Sequence, residues 1–170
     1  MKTIYLVLII LMANQVIAQD SLSTNNSLLS KRIPAWVKTV IEKSEVAKNY
    51  TIIDSINPFY LEVDLTGDKL DDIVFFVRNN LDGKKGVMII NRGKNVLFVL
   101  GGGKDIGMGD NVNWCNRWFV YRDKGIFDGV GKKKASLKYP AIRLEKSDRL
   151  SLYIYWSGKK YKTYVQLFEE

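Results

Sequence analysis

The chain has 170 residues, 46% of them hydrophobic and 26% charged, with 3 prolines. Such values describe a folded domain and exclude a long disordered chain. There are 26 Lys+Arg against 18 Asp+Glu, a formal charge of +8, no histidine and one cysteine, Cys115. The missing imidazole removes histidine-dependent triads, dyads and His-ligated metals, and a single thiol removes disulfide scaffolds and zinc fingers.

At the N-terminus Lys2 precedes an apolar run from Ile4 to Ala13, which Asn14 and Gln15 interrupt before Val16-Ile17-Ala18. A cation, a short apolar stretch and a small residue in that order predict a signal peptide over 1–18, cleaved before Gln19. A spanning helix needs about 20 apolar residues, so this run is too short to remain in a membrane. No transmembrane segment is expected after cleavage. The protein is therefore read as exported, to the periplasm or out of the cell. In an oxidising compartment Cys115 has no internal partner and reads as a small buried residue beside Trp114.

Residues 19–32 are polar and rich in Ser and Asn, a linker to a single β-rich domain over 33–170. Pro34 suits a first helical position. Ile33, Trp36, Val37, Val40, Ile41 and Ala47 recur at spacings of three and four, predicting an amphipathic helix over 33–48 that covers one face of a sheet. Beyond Pro58, short apolar runs alternate with Gly, Asn and Asp. Strands are expected at 60–65, 73–78, 86–91, 96–100, 117–122, 135–138, 141–145, 150–156 and 159–167, joined by short turns. The fold class is α+β, mostly an antiparallel β meander with one N-terminal helix. No repeat appears at propeller period, and the chain is too short for a complete propeller.

One loop carries recognisable chemistry. Counting Asp64 as position 1, side-chain oxygens fall at positions 1, 3, 5 and 9: Asp64, Thr66, Asp68 and Asp72. The Leu70 carbonyl at position 7 adds a backbone oxygen, and a hard cation such as Ca²⁺ takes six to eight such ligands. Carboxylates this close repel one another unless a cation lies between them. An EF-hand needs Glu at position 12, where Phe75 stands, so that motif is rejected. The stretch DLTGDKLDDIVFFV resembles the calcium loop of FG-GAP and VCBS-type repeats, known from integrin α-subunits. Asp64, Gly67, Asp68, Asp72 and Ile73 match that pattern; Thr66 replaces an Asp or Asn, and Lys69 stands where glycine is common. What the resemblance implies is a calcium site without a whole propeller. In layout the chain is also similar to small exported bacterial proteins with one such loop and a C-terminal hairpin like Ile154–Lys162. An acidic turn that stays solvated is the alternative reading of the loop.

In the C-terminal hairpin, Leu150, Leu152, Ile154 and Trp156 share a face with Tyr161, Thr163, Val165 and Leu167 and should meet the core. Tyr153, Tyr155, Lys160, Lys162 and Tyr164 should then occupy the opposite face, where tyrosines among lysines can stack on sugars or meet an acidic partner. A solvated face with cross-strand packing explains the same pattern. Trp114 and Trp118, in NVNWCNRW, can line a carbohydrate groove or simply pin a loop. Gly101–Gly109 lacks the spacing of a phosphate loop. Lys132-Lys133-Lys134 with Lys159, Lys160 and Lys162 makes a candidate basic patch, read toward an anionic polysaccharide or membrane surface rather than specific nucleic acid.

No catalytic residue can be assigned. The expectation is an exported, non-enzymatic, calcium-stabilised β-rich domain that binds a protein or glycan partner at the envelope or outside the cell. A glycan-binding or glycan-cleaving protein using Trp114, Trp118, Tyr153 and Tyr155 is the alternative.

Overall fold

The computed structural model describes residues 33–128, 131–147 and 149–167. The signal peptide and linker expected over 1–32 lie outside the described residues. The chain divides into two compact units, residues 1–38 and 39–170, with the boundary inside the first helix. That helix, α1 (Ala35–Lys43), is shorter than the periodicity suggests. The Pro34 carbonyl accepts from the amides of Val37 and Lys38, so Pro34 precedes the helix rather than opening it. Ser44 ends α1, and its hydroxyl accepts from the Ala47 amide as a separate 3-10 turn begins at Ala47–Asn49. Ala47 therefore belongs to another element, although its spacing continues the apolar stripe. Among the described residues no helix is long and apolar enough to cross a membrane.

The remainder forms two antiparallel meanders with a small hairpin between them. The first sheet contains β1 (Tyr50–Ile52), β2 (Tyr60–Val63), β3 (Asp72–Asn79), β4 (Lys85–Asn91) and β5 (Val96–Gly101). β1 and β2 pair with opposite ends of the same side of β3, and β4 takes its other side. The second sheet is built from β6 (Arg117–Tyr121), β9 (Ala141–Lys146), β10 (Leu150–Trp156) and β11 (Tyr161–Leu167), in the order β11-β10-β9-β6. β7 (Gly125–Phe127) and β8 (Lys133–Ser136) form a two-stranded hairpin. Neither sheet closes on itself. β1 and β7 fall outside the expected strands because three residues are too few to show an alternation, and β8 begins two residues before the expected strand.

One face of each sheet contributes to a shared core. Leu61, Val63, Val74, Phe76, Val87 and Ile89 come from the first sheet, and Trp118, Ile142, Leu144, Leu152 and Ile154 from the second. Alternation puts these residues on one side of their strands. β3 and β4 are buried along nearly their whole lengths, as their unbroken apolar runs require of central strands covered on both faces. A second cluster joins Ile126 and Leu137 to Ala141 and Tyr153, so the β7–β8 region covers part of the outer face of the second sheet.

Candidate binding cleft

The loop between β2 and β3 is organised by its carboxylates. Asp64 Oδ1 accepts from the amides of Thr66 and Gly67, and Oδ2 accepts from Lys69 at 2.8 Å. Asp68 Oδ1 accepts from the Leu70 amide at 3.0 Å. Asp72 is fully buried and receives the amides of Leu65 and Arg92, each at 3.0 Å. Burial raises the Asp72 carboxyl above its ordinary range, opposed by the Arg92 amide, the Asn91 side chain and the Leu65 amide. These bonds distribute the negative charge over backbone dipoles, which offers relief from repulsion without a cation.

Three of the calcium ligands expected from the motif, Asp64, Asp68 and Asp72, are bonded to backbone amides. Among the described residues no group of three or more His, Cys, Asp or Glu side chains is arranged to hold a metal ion. The donor set fits a cation at one point: Thr66 Oγ1 is buried without a hydrogen-bond partner. Its carboxylates are already bonded to amides, and the Leu70 side chain is 41% exposed.

The loop instead builds one wall of a cleft. A Cβ on Gly67 would lie 1.9 Å from Tyr139 Cε1, so the tyrosine ring packs where only glycine leaves room. A Cβ on Gly93 would lie 2.0 Å from Asp68 Oδ2, which places that carboxylate against the β4–β5 turn. These close approaches bring the loop, that turn and the chain after β8 together, and the β10–β11 hairpin completes a cavity of about 910 Å³. The volume lies in the range of small-ligand sites. Phe98, Tyr139, Tyr155 and Trp156 supply aromatic surface, while Ser136 and Ser157 supply hydroxyl groups. Lys94, Lys138, Lys159 and Lys162 also line it, with Asp68 the one acidic side chain among the described lining residues.

The expected partner face is thus divided. Tyr155 and Lys162 are register partners and both reach the cleft. Tyr153 is not on a solvated face: it is 3% exposed, and its hydroxyl donates to Gln166 Oε1 beneath the cover of the β7–β8 region. Tyr164 packs against the same cluster. Lys160 lies in the turn and lines a different groove with Val99, Lys104 and Ile106. Leu167, expected in the core, is 73% exposed.

Neither Trp114 nor Trp118 lines the cleft. Trp118 is 1% exposed, meets Phe76 edge-on at 4.7 Å and donates its indole N–H to the Pro58 carbonyl at 2.9 Å. A ring enclosed on all sides offers no platform to a sugar, so the alternation of β6, and not ligand contact, accounts for this residue. Trp114 packs against the main core, and its Nε1 is buried without a partner.

Sequence spacing does not single out Lys94, Phe98, Lys138 or Tyr139. Lys94 and Phe98 lie in the β4–β5 turn and β5, Lys138 and Tyr139 after β8, and only the tertiary packing brings these two segments together. No family model, curated protein or solved structure matches the chain.

Proposed function

We propose that this is an exported, non-enzymatic binding module that holds an extended glycan chain, at the cell envelope or outside the cell, in the cleft beside the 64–72 loop. What supports the reading is the meeting of Tyr139, Tyr155 and Trp156 with the Ser136 and Ser157 hydroxyls in one open cavity. Sugar rings present apolar faces to aromatic planes and hydroxyl edges to polar groups, so a site needs both kinds of surface side by side. Glycoside hydrolysis by the usual route needs two carboxyl groups flanking the bond. The described cleft lining offers Asp68 alone, which favours binding over cleavage.

The test is retention on a glycan array, comparing wild type with Tyr139→Ala. Tyr139 belongs to neither hydrophobic cluster. Its removal should abolish retention while the melting temperature stays within about 2 °C, as expected for a substitution outside the core. A wild-type protein that retains no glycan overturns the proposal.

A second reading places calcium in the Asp64–Asp72 loop, with Thr66, Asp68 and the Leu70 carbonyl completing the set. The unpartnered Thr66 hydroxyl and the resemblance to FG-GAP loops favour it. It requires carboxylate oxygens to turn from backbone amides toward a common centre. Melting in excess EDTA and then in millimolar calcium separates the possibilities. A rise of several degrees specific to calcium and lost in Asp68→Ala establishes the ion. Coincident melts leave a loop held by amides alone.

A further inference from the structure

We infer that the glycan held in this cleft is acidic, carrying carboxylate groups along its length. The inference rests on the glycan reading above and adds the sign of the ligand's charge and its chemical class. Four lysines from three segments converge on the cavity: Lys94 in the β4–β5 turn, Lys138 after β8, and Lys159 and Lys162 in the β10–β11 hairpin. Asp68 is the one acidic side chain among the described residues facing them.

Elsewhere on the described surface, several cations are paired with carboxylates. Lys84 bridges Asp82 and Asp110, Lys134 meets Asp128, and Arg117 and Arg143 share Glu145. None of the four cleft lysines makes an ion pair among the described residues; Lys138 lies over the Tyr139 ring at 5.2 Å. Like charges brought to one cavity without counter-charges raise the energy of the unliganded protein and lower that of an anionic complex. Four lysines against Asp68 therefore leave the described cleft lining with an excess of positive charge beside its aromatic surface.

The kind of cation narrows the ligand. No arginine lines the described cavity, so the planar fork that grips phosphate or carboxylate through two parallel bonds is missing. Lysines act as separate point charges, suited to single anionic groups spaced along a chain. Ser136 and Ser157 between them suit the hydroxyls of the same polymer. A uronate-type polysaccharide combines these groups, with sugar rings for Tyr139 and Tyr155.

The test uses the purified protein in calorimetric titrations with three probes: oligogalacturonate, neutral cello-oligosaccharide and single-stranded oligothymidylate. Oligogalacturonate should bind most tightly. Its affinity should fall about tenfold or more between low salt and 0.5 M NaCl, as screening shortens the range of the lysine charges. The double variant Lys138→Gln/Lys162→Gln should lose affinity by a similar factor with its melting temperature unchanged, because both side chains are exposed. Lys94→Gln provides an independent check from another segment. Cello-oligosaccharide bound as tightly, without salt dependence, overturns the acidic ligand and leaves the glycan reading standing. Binding of neither saccharide overturns both. Tighter binding of oligothymidylate than of oligogalacturonate overturns the inference in favour of a nucleic acid.

Discussion

At the residue scale, Cys115 and Glu145 show how burial changes the meaning of a side chain. Cys115 is half-buried, donates to the Arg117 carbonyl at 3.2 Å, and has its thiol pKa pushed up to about 11, chiefly by burial. A rise from the ordinary 9.0 to about 11 lowers the thiolate fraction at pH 8 about a hundredfold. Iodoacetamide at pH 8 should therefore label the native protein far more slowly than the denatured one, followed by mass spectrometry. The folded thiol keeps its proton where an unfolded thiol loses it, so this group's contribution to stability falls as pH rises from about 9 to about 11. Glu145 is 3% exposed and is held by Arg143 at 2.6 Å and by Arg117. Arg117 is mostly solvated and contributes little, whereas Arg143 is shielded and lies over the rings of Phe119 and Tyr153. Glu145→Ala leaves that guanidinium without its carboxylate and should cost about 3 kcal/mol in urea denaturation.

At the element scale, strands of five residues or more are legible in the sequence and the shortest are not. Alternation identifies the faces of β10 and β11, and the observed register pairs Leu152 with Val165 and Tyr155 with Lys162 as those faces require. The apolar stripe overextends the helix because Ala47 continues it across Ser44, whose hydroxyl instead accepts from the Ala47 amide. The 64–72 loop is legible as a carboxylate-organised turn, but its contact with Tyr139 is not. Gly67 has φ +81° and packs under that ring, so Gly67→Ala combines an unfavourable backbone conformation with a steric clash. It should lower stability by about 2 kcal/mol and the melting temperature by about 5 °C, measured by circular dichroism. It should also weaken glycan retention by displacing Tyr139.

At the scale of the whole molecule, the two sheets depend on the core between them. Trp118 fills its centre against Phe76 and carries a buried hydrogen bond to Pro58. Trp118→Ala should cost about 3–5 kcal/mol, through lost burial and the cavity left behind. Any loss of ligand binding in that variant should follow the unfolded fraction in a urea titration. Tyr139→Ala should behave oppositely, losing binding with stability retained. A Trp118→Ala protein that stays fully stable and loses binding would place the tryptophan in the ligand site and contradict its assignment to the core.

Local facts are legible without the fold. Composition excluded histidine chemistry and disulfides, alternation set which residues of each long strand face one side, and the aspartate spacing marked the loop between β2 and β3. All of these depend on neighbours a few positions away, where the backbone's own period fixes direction. Tertiary structure decided what covers each face. The β7–β8 region buries Tyr153, which alternation alone puts in solvent, and β6 joins β9 across that intervening hairpin. It also decided the cleft, because Lys94 and Lys138 stand on segments of other sheets that packing brings to the hairpin carrying Lys159 and Lys162. No spacing in the chain encodes that proximity; it comes from burying both sheets' apolar faces in one core.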